Sequence, residues 1–93
     1  MDYVNDFLAR HPGPVRTPLR TKRGDALSVQ ASAGHYCSPK EDNAPSYSHV
    51  EIWWQNRCPR PLRWYATHHN EPAAWVPVEA INAWVARRGG LAN

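Results

Sequence analysis

The chain has 93 residues, 42% of them hydrophobic and 20% charged, with a formal charge of +3. That length makes one domain, 1–93, with a thin core, and that composition excludes wholesale disorder. No run approaches the roughly 18 apolar residues of a membrane span, and Met1-Asp2-Tyr3-Val4-Asn5-Asp6 lacks the basic start and apolar run of a signal peptide, so no membrane partner is expected and the reading is cytosolic.

In chain order, Tyr3, Val4, Phe7 and Leu8 fall at helical spacing behind Asp2, a residue suited to cap a helix, and Pro12-Gly13-Pro14 stops the element. Val15–Arg20 and Ala26–Ser32 flank a turn with Gly24 where positive φ is needed, which predicts a β-hairpin whose first strand Pro18 confines to a sheet edge. Leu27, Val29 and Ala31 alternate with Ser28, Gln30 and Ser32, the period of one buried and one wetter face. Tyr47–Asn56 repeats that period, with Ser48, Val50, Ile52 and Trp54 on one face and Tyr47, His49, Glu51 and Trp53 on the other.

Between these strands runs Ala33–Ser46, a polar loop long enough to suspect of function. After the turn Arg57-Cys58-Pro59-Arg60-Pro61, Leu62–Ala66 is predicted as a fourth strand and Thr67–Ala73 as a polar connection. Trp75-Val76 then leads into a helix that starts with Pro77, carries Val78, Ile81, Trp84 and Val85 near one face, and ends at Gly89-Gly90 behind Arg87 and Arg88. The expected fold is therefore α+β: a three- to four-stranded, mainly antiparallel sheet with a C-terminal helix and a short N-terminal helix. Its predicted core is Phe7, Leu8, Leu27, Val29, Val50, Ile52, Trp54, Trp64, Val78, Ile81 and Val85.

Five tryptophans are an outlier in so short a chain. Each can bury on the order of 200 Å², so some serve the core and the rest are open to binding. The positive charge is uneven: Arg10, Arg16, Arg20, Lys22 and Arg23 precede Asp25 with no acid from Arg10 onward, and Arg57, Arg60 and Arg63 form a second group. Such clusters point to an anionic partner, or equally to a well-solvated surface.

His35-Tyr36-Cys37-Ser38-Pro39-Lys40 is the densest reactive stretch, but no oxyanion donor pair or orienting acid can be assigned beside Cys37, so a non-enzymatic protein is expected. His35, Cys37, His49, Cys58, His68 and His69 are zinc-type ligands whose spacings match no recurring zinc pattern, so neither metal nor cofactor is expected. A reducing compartment favours free thiols for Cys37 and Cys58. The wetter sheet face, with Gln30, His49, Glu51 and Trp53, offers donors, an acceptor and an aromatic plane together. With His35 and Tyr36 from the loop and Arg57 and Arg60 from the rim, these are the candidate ligand-binding residues. Aromatics mixed with arginines also suit nucleic acid, whose bases stack while guanidinium groups meet phosphate. Exposed sheet edges and spare tryptophans favour a homo-oligomer.

Leu27-Ser28-Val29-Gln30-Ala31-Ser32, His35-Tyr36-Cys37-Ser38-Pro39, Tyr47, Glu51 and Val76-Pro77-Val78-Glu79 before Gly89-Gly90 form a scattered pattern from Leu27 to Gly90. It resembles a family of small, largely uncharacterised accessory proteins of bacteriophages and prophages. The Trp53-Trp54-Gln55-Asn56-Arg57 stretch departs from that family in being more aromatic and more basic. The resemblance implies a host-directed, anti-defence inhibitor working in the host cytoplasm, either by sequestering an anionic nucleotide-type signal or, in the manner of anti-CRISPRs, by binding a host defence protein complex. A small nucleic-acid-binding regulator is the third alternative. The family supplies no catalytic or ligand residues to transfer.

Overall fold

The computed structural model describes residues 1–66 and 72–93. Helix α1 (Tyr3–Arg10) opens the chain, strands β1 (Leu19–Arg20), β2 (Ala26–Gln30) and β3 (His49–Trp53) follow, a 3-10 helix spans Arg60–Tyr65, and strand β4 (Ala73–Pro77) runs directly into α2 (Val78–Arg87). The strands form one antiparallel sheet in the order β1-β2-β3-β4, so the fold is α+β as expected.

Each helix end has a local cause. Asp2 caps α1, its carboxylate accepting from the Asn5 N–H at 3.1 Å and from the Asn82 amide at 3.1 Å, which ties the start of α1 to α2. Asn82 also accepts the Val4 N–H at 2.9 Å. Partial burial pushes the Asp2 carboxyl up, but hydrogen bonds from Asn5 and Asn82 outweigh it and hold the group below its ordinary value. Asp2→Ala is expected to lower stability by about 1 kcal/mol, read as an earlier midpoint in urea; an unchanged midpoint would show that the cap contributes nothing.

At the far end, Gly89 and Gly90 have φ of 86° and 91°, and their N–H groups donate back to Ala86 and Val85 in the paired pattern that closes a helix with a left-handed residue. The chain then runs beside β1: the Lys22 N–H donates to the Gly90 carbonyl, Thr21 bridges Leu91, and the Ala92 N–H donates to Arg20. This tail covers part of an edge that would otherwise offer unpaired backbone. Gly24, at φ 92°, supplies the hairpin turn as predicted.

The apolar side of the sheet carries Leu27, Val29, Val50, Ile52 and Val76, and packs against Val4, Phe7 and Leu8 of α1 and Val78, Ile81, Trp84 and Val85 of α2, all buried. Two side-chain amides stand in for missing strands at its margins. Asn5 accepts from the Tyr47 N–H and donates to its carbonyl, and Gln30 does the same for Arg16. Such reciprocal pairs satisfy backbone that leaves the ladder while still near the core.

Several expectations need correction. Val15 is exposed and the first strand contains only Leu19 and Arg20. Leu62–Ala66 is not a strand: Pro59 and Pro61 lack the N–H groups a ladder needs, and the segment winds as a 3-10 helix with Leu62 buried and Trp64 87% exposed, so Trp64 leaves the core. The fourth strand is instead Ala73–Pro77, which takes in Trp75-Val76 and makes Pro77 the N-cap of α2. Tyr47 is buried, because the strand begins only at His49 and its hydroxyl turns inward to bind the Glu41 carbonyl and the Ala44 N–H. Trp54 is half-buried and stacked on Trp53, not part of the central core. Val4, Leu19, Leu62, Val76 and Trp84 are buried although absent from the predicted core. His68 and His69, with most of the predicted polar connection, lie outside the described residues.

Candidate functional site

The structure divides the sequence-predicted binding residues between two places. Gln30, His49, Glu51 and Trp53 share the sheet face opposite the helices, in register: Gln30 faces Glu51, and Ser28 faces Trp53. The loop that follows β2 folds onto this face. The Glu51 carboxylate accepts the Tyr36 N–H at 3.2 Å, the Ser38 N–H donates to the His49 carbonyl, and the Tyr36 carbonyl accepts the Trp75 N–H. That last bond exists because β4 bulges opposite Glu51, with Trp75 at φ 48°; a bulge turns an amide out of the ladder. Tyr36 and Trp75 pack ring against ring at 5.1 Å, with the Lys40 ammonium 5.2 Å from the Tyr36 centroid.

The face is therefore partly roofed, and its polar groups are largely engaged within the chain. Gln30 is buried, its amide spent on Arg16 and Ser28. Glu51 and the Tyr36 backbone hold each other. His35 Nδ1 lies 2.6 Å from Ser32 Oγ, and His49 Nδ1 2.8 Å from Ser48 Oγ. The Cys37 thiol is buried, with the carbonyls of Ser32 and Pro39 both within reach of its one S–H. What remains presented to solvent is aromatic: Tyr36, Trp53 and Trp75.

Arg57 and Arg60 stand elsewhere, on a broad, shallow groove of about 1210 Å³ between the hairpin turn at Gly24–Ala26, the segment Gln55–Arg63 and the C-terminal end of α2. Among the described residues it is lined by five arginines, Arg57, Arg60, Arg63, Arg87 and Arg88, against a single carboxylate, Asp25. Asp25 is already engaged: Arg88 Nε donates to it at 2.7 Å and the Thr21 hydroxyl at 2.6 Å. Burial pushes its carboxyl up, but those two hydrogen bonds and the Arg88 charge outweigh that and hold it below the usual range. The local charge is thus strongly positive, and clustered positive charge in a concave surface focuses potential toward anions.

The 3-10 helix sets the arginines' direction. With three residues per turn, residues three apart lie above one another, so Arg60 and Arg63 share one edge, and Trp64 shares the next with Pro61, itself a groove residue. Arg63 Nε donates to the Cys58 carbonyl at 3.3 Å, which steadies the turn. Cys58 lies buried in the groove wall, and burial pushes its thiol up more than the nearby Arg63 charge lowers it. It stays a protonated thiol at neutral pH, the unreactive form. Among the described residues no group of three or more His, Cys, Asp and Glu side chains converges as a metal site requires.

Arg87 and Arg88 were legible only as charges at a helix end; their closeness to Arg57, Arg60 and Arg63 is a tertiary fact that no local spacing signals. The Asp25 clasp gives a test of this geometry. A carboxyl depressed by folding adds stability above its unfolded pKa and loses it as pH falls through the lower folded value. Stability is therefore expected to drop as the pH is taken below about 4, and less so in Asp25→Asn. Parallel acid titrations of thermal midpoint for both proteins check this, and identical acid slopes would remove Asp25 from the account.

Comparison with family models, curated proteins and solved structures gives no match for this chain.

Proposed function

We propose that the protein is a non-enzymatic binding protein whose arginine-lined groove holds a phosphate-bearing, nucleotide-type anion. The observation that carries the reading is the concentration of five arginines around one groove whose only carboxylate among the described residues is already bound to Arg88. Guanidinium groups match phosphate oxygens with forked donors, and each such charge-assisted bond is stronger than a neutral one. A shallow site suits a ligand with several phosphate oxygens spread over its length. Trp64, largely exposed on the edge it shares with Pro61, offers a plane for a base. The resemblance to phage accessory proteins supplies the biological setting: sequestration of an anionic nucleotide signal on which a host defence depends.

Titration calorimetry with inorganic pyrophosphate at low and high sodium chloride tests the reading. Saturable binding near one per chain, weakening as salt rises, is expected. No heat at low salt would reject it. Affinity for long single strands far above that for pyrophosphate, with a steep salt slope from counterion release, would move the groove to nucleic acid.

A further inference from the structure

A buried guanidinium cannot shed its charge as a lysine can, so it needs compensation where it stands. Arg16 is 6% exposed, and its place is fixed by its own backbone, which the Gln30 amide grips from both sides at 2.8 Å. Its Nη1 donates to the Ala31 carbonyl at 2.6 Å, while its Nε is buried and has no acceptor, the only such side-chain atom among the described residues. The ion pairs of the described residues, Arg10 with Asp6 and Arg88 with Asp25, leave Arg16 out. A positive charge is thus carried into the interior with one neutral carbonyl to meet it.

Arg16 borders a pocket of about 250 Å³ between α1 and the loop, closed by Asn5, Leu8, Pro12, Asn43 and Tyr47 and lined, among the described residues, by no Asp or Glu. The polar groups around it mostly have partners already. The Asn5 amide is occupied by the Tyr47 backbone, and the Tyr47 hydroxyl by Glu41 and Ala44. Asn43 uses its carbonyl oxygen on the Gly13 N–H, which leaves its amide NH2 as a donor on the lining of the same pocket. Donors and positive charge without an acceptor are what an oxyanion needs, and a buried unsatisfied donor in an otherwise well-paired structure calls for a ligand.

We propose that this pocket is a second anion site, separate from the groove, which takes one carboxylate or phosphate group with Arg16 as its anchor. Its volume admits a single acid group on a small molecule or chain end and no larger ligand. Nitrogen-15 NMR of the arginine Nε–H groups reads the site directly. It is applied to the full chain and to a variant with Arg57, Arg60 and Arg63 all changed to Ala, so that success or failure of the groove does not bear on it.

On titration with inorganic phosphate or with acetate, the Arg16 Nε–H signal is expected to move saturably in both proteins. Movement with one anion alone identifies the chemistry as phosphate or carboxylate. Arg16→Lys, which keeps the charge but loses the fork, is expected to bind the active anion at least about tenfold more weakly, the effect of one charge-assisted bond. If that variant does not fold, the signal in the unaltered chain still decides. No saturable movement with either anion, or the same movement with sodium chloride at equal ionic strength, would overturn the proposal.

Discussion

Leu62→Ala is expected to lower stability by about 2–5 kcal/mol, and with it the thermal midpoint by at least about 8 °C in a chain of this size. Leu62 is fully buried, and it is the one buried side chain of the 3-10 helix, whose neighbours are α2 and β4. Its N–H closes the first turn on the Pro59 carbonyl at 2.9 Å. Deleting it leaves a cavity under a segment with little else to hold it, in a domain whose total stability is about 5–15 kcal/mol. Since that segment carries Arg60 and Arg63, anion binding should weaken in parallel. Trp64→Ala, two residues on and exposed, should stay within about 0.5 kcal/mol of the parent. Urea unfolding of the two variants checks the contrast, and equal midpoints would refute the placement of this helix.

The joint change of Arg57, Arg60 and Arg63 to Ala is expected to abolish measurable pyrophosphate binding at the groove while the protein still unfolds cooperatively close to the parent's midpoint. Hydrogen bonds to charged groups contribute about 1.5–3 kcal/mol each, so each arginine that meets a phosphate oxygen accounts for roughly ten- to hundredfold in affinity. The three are exposed, and among the described residues the only hydrogen bond from their side chains is Arg63 to Cys58, so little stability is at stake. Trp53→Ala separates the two surfaces: Trp53 lies on the sheet's other face, and its loss would reduce binding only if the ligand engaged that face instead of the groove. Pyrophosphate calorimetry on each variant reads the result. Undiminished binding by the triple variant would dissociate the groove from the function.

Much of this fold is written locally. The Asp2 cap, the Gly24 turn, the period-two alternation of β2 and β3 and the Gly89-Gly90 helix end all depend on neighbours within a few residues, and each was legible. Leu62–Ala66 was not, because a short apolar run reads alike as strand or buried turn, and only the prolines before it bias the outcome. Strand β4 was hidden by Pro77 and by the left-handed Trp75, both tolerated because an edge strand needs to pair on only one side. Half of the groove could be read as the basic cluster Arg57-Arg60-Arg63. Its other wall, Arg87 and Arg88, is brought there by packing of α2, and burial of Arg16 depends on a side-chain amide fourteen positions away in sequence.

Native mass spectrometry of the protein purified at low ionic strength from bacterial cells, beside the same sample denatured, tests the anion-holding groove most directly. The expected result is a retained phosphate-bearing small molecule, one per chain, lost on denaturation and missing from the triple arginine variant. A bare unaltered protein, or a nucleotide-type ligand that the triple variant keeps, would contradict it.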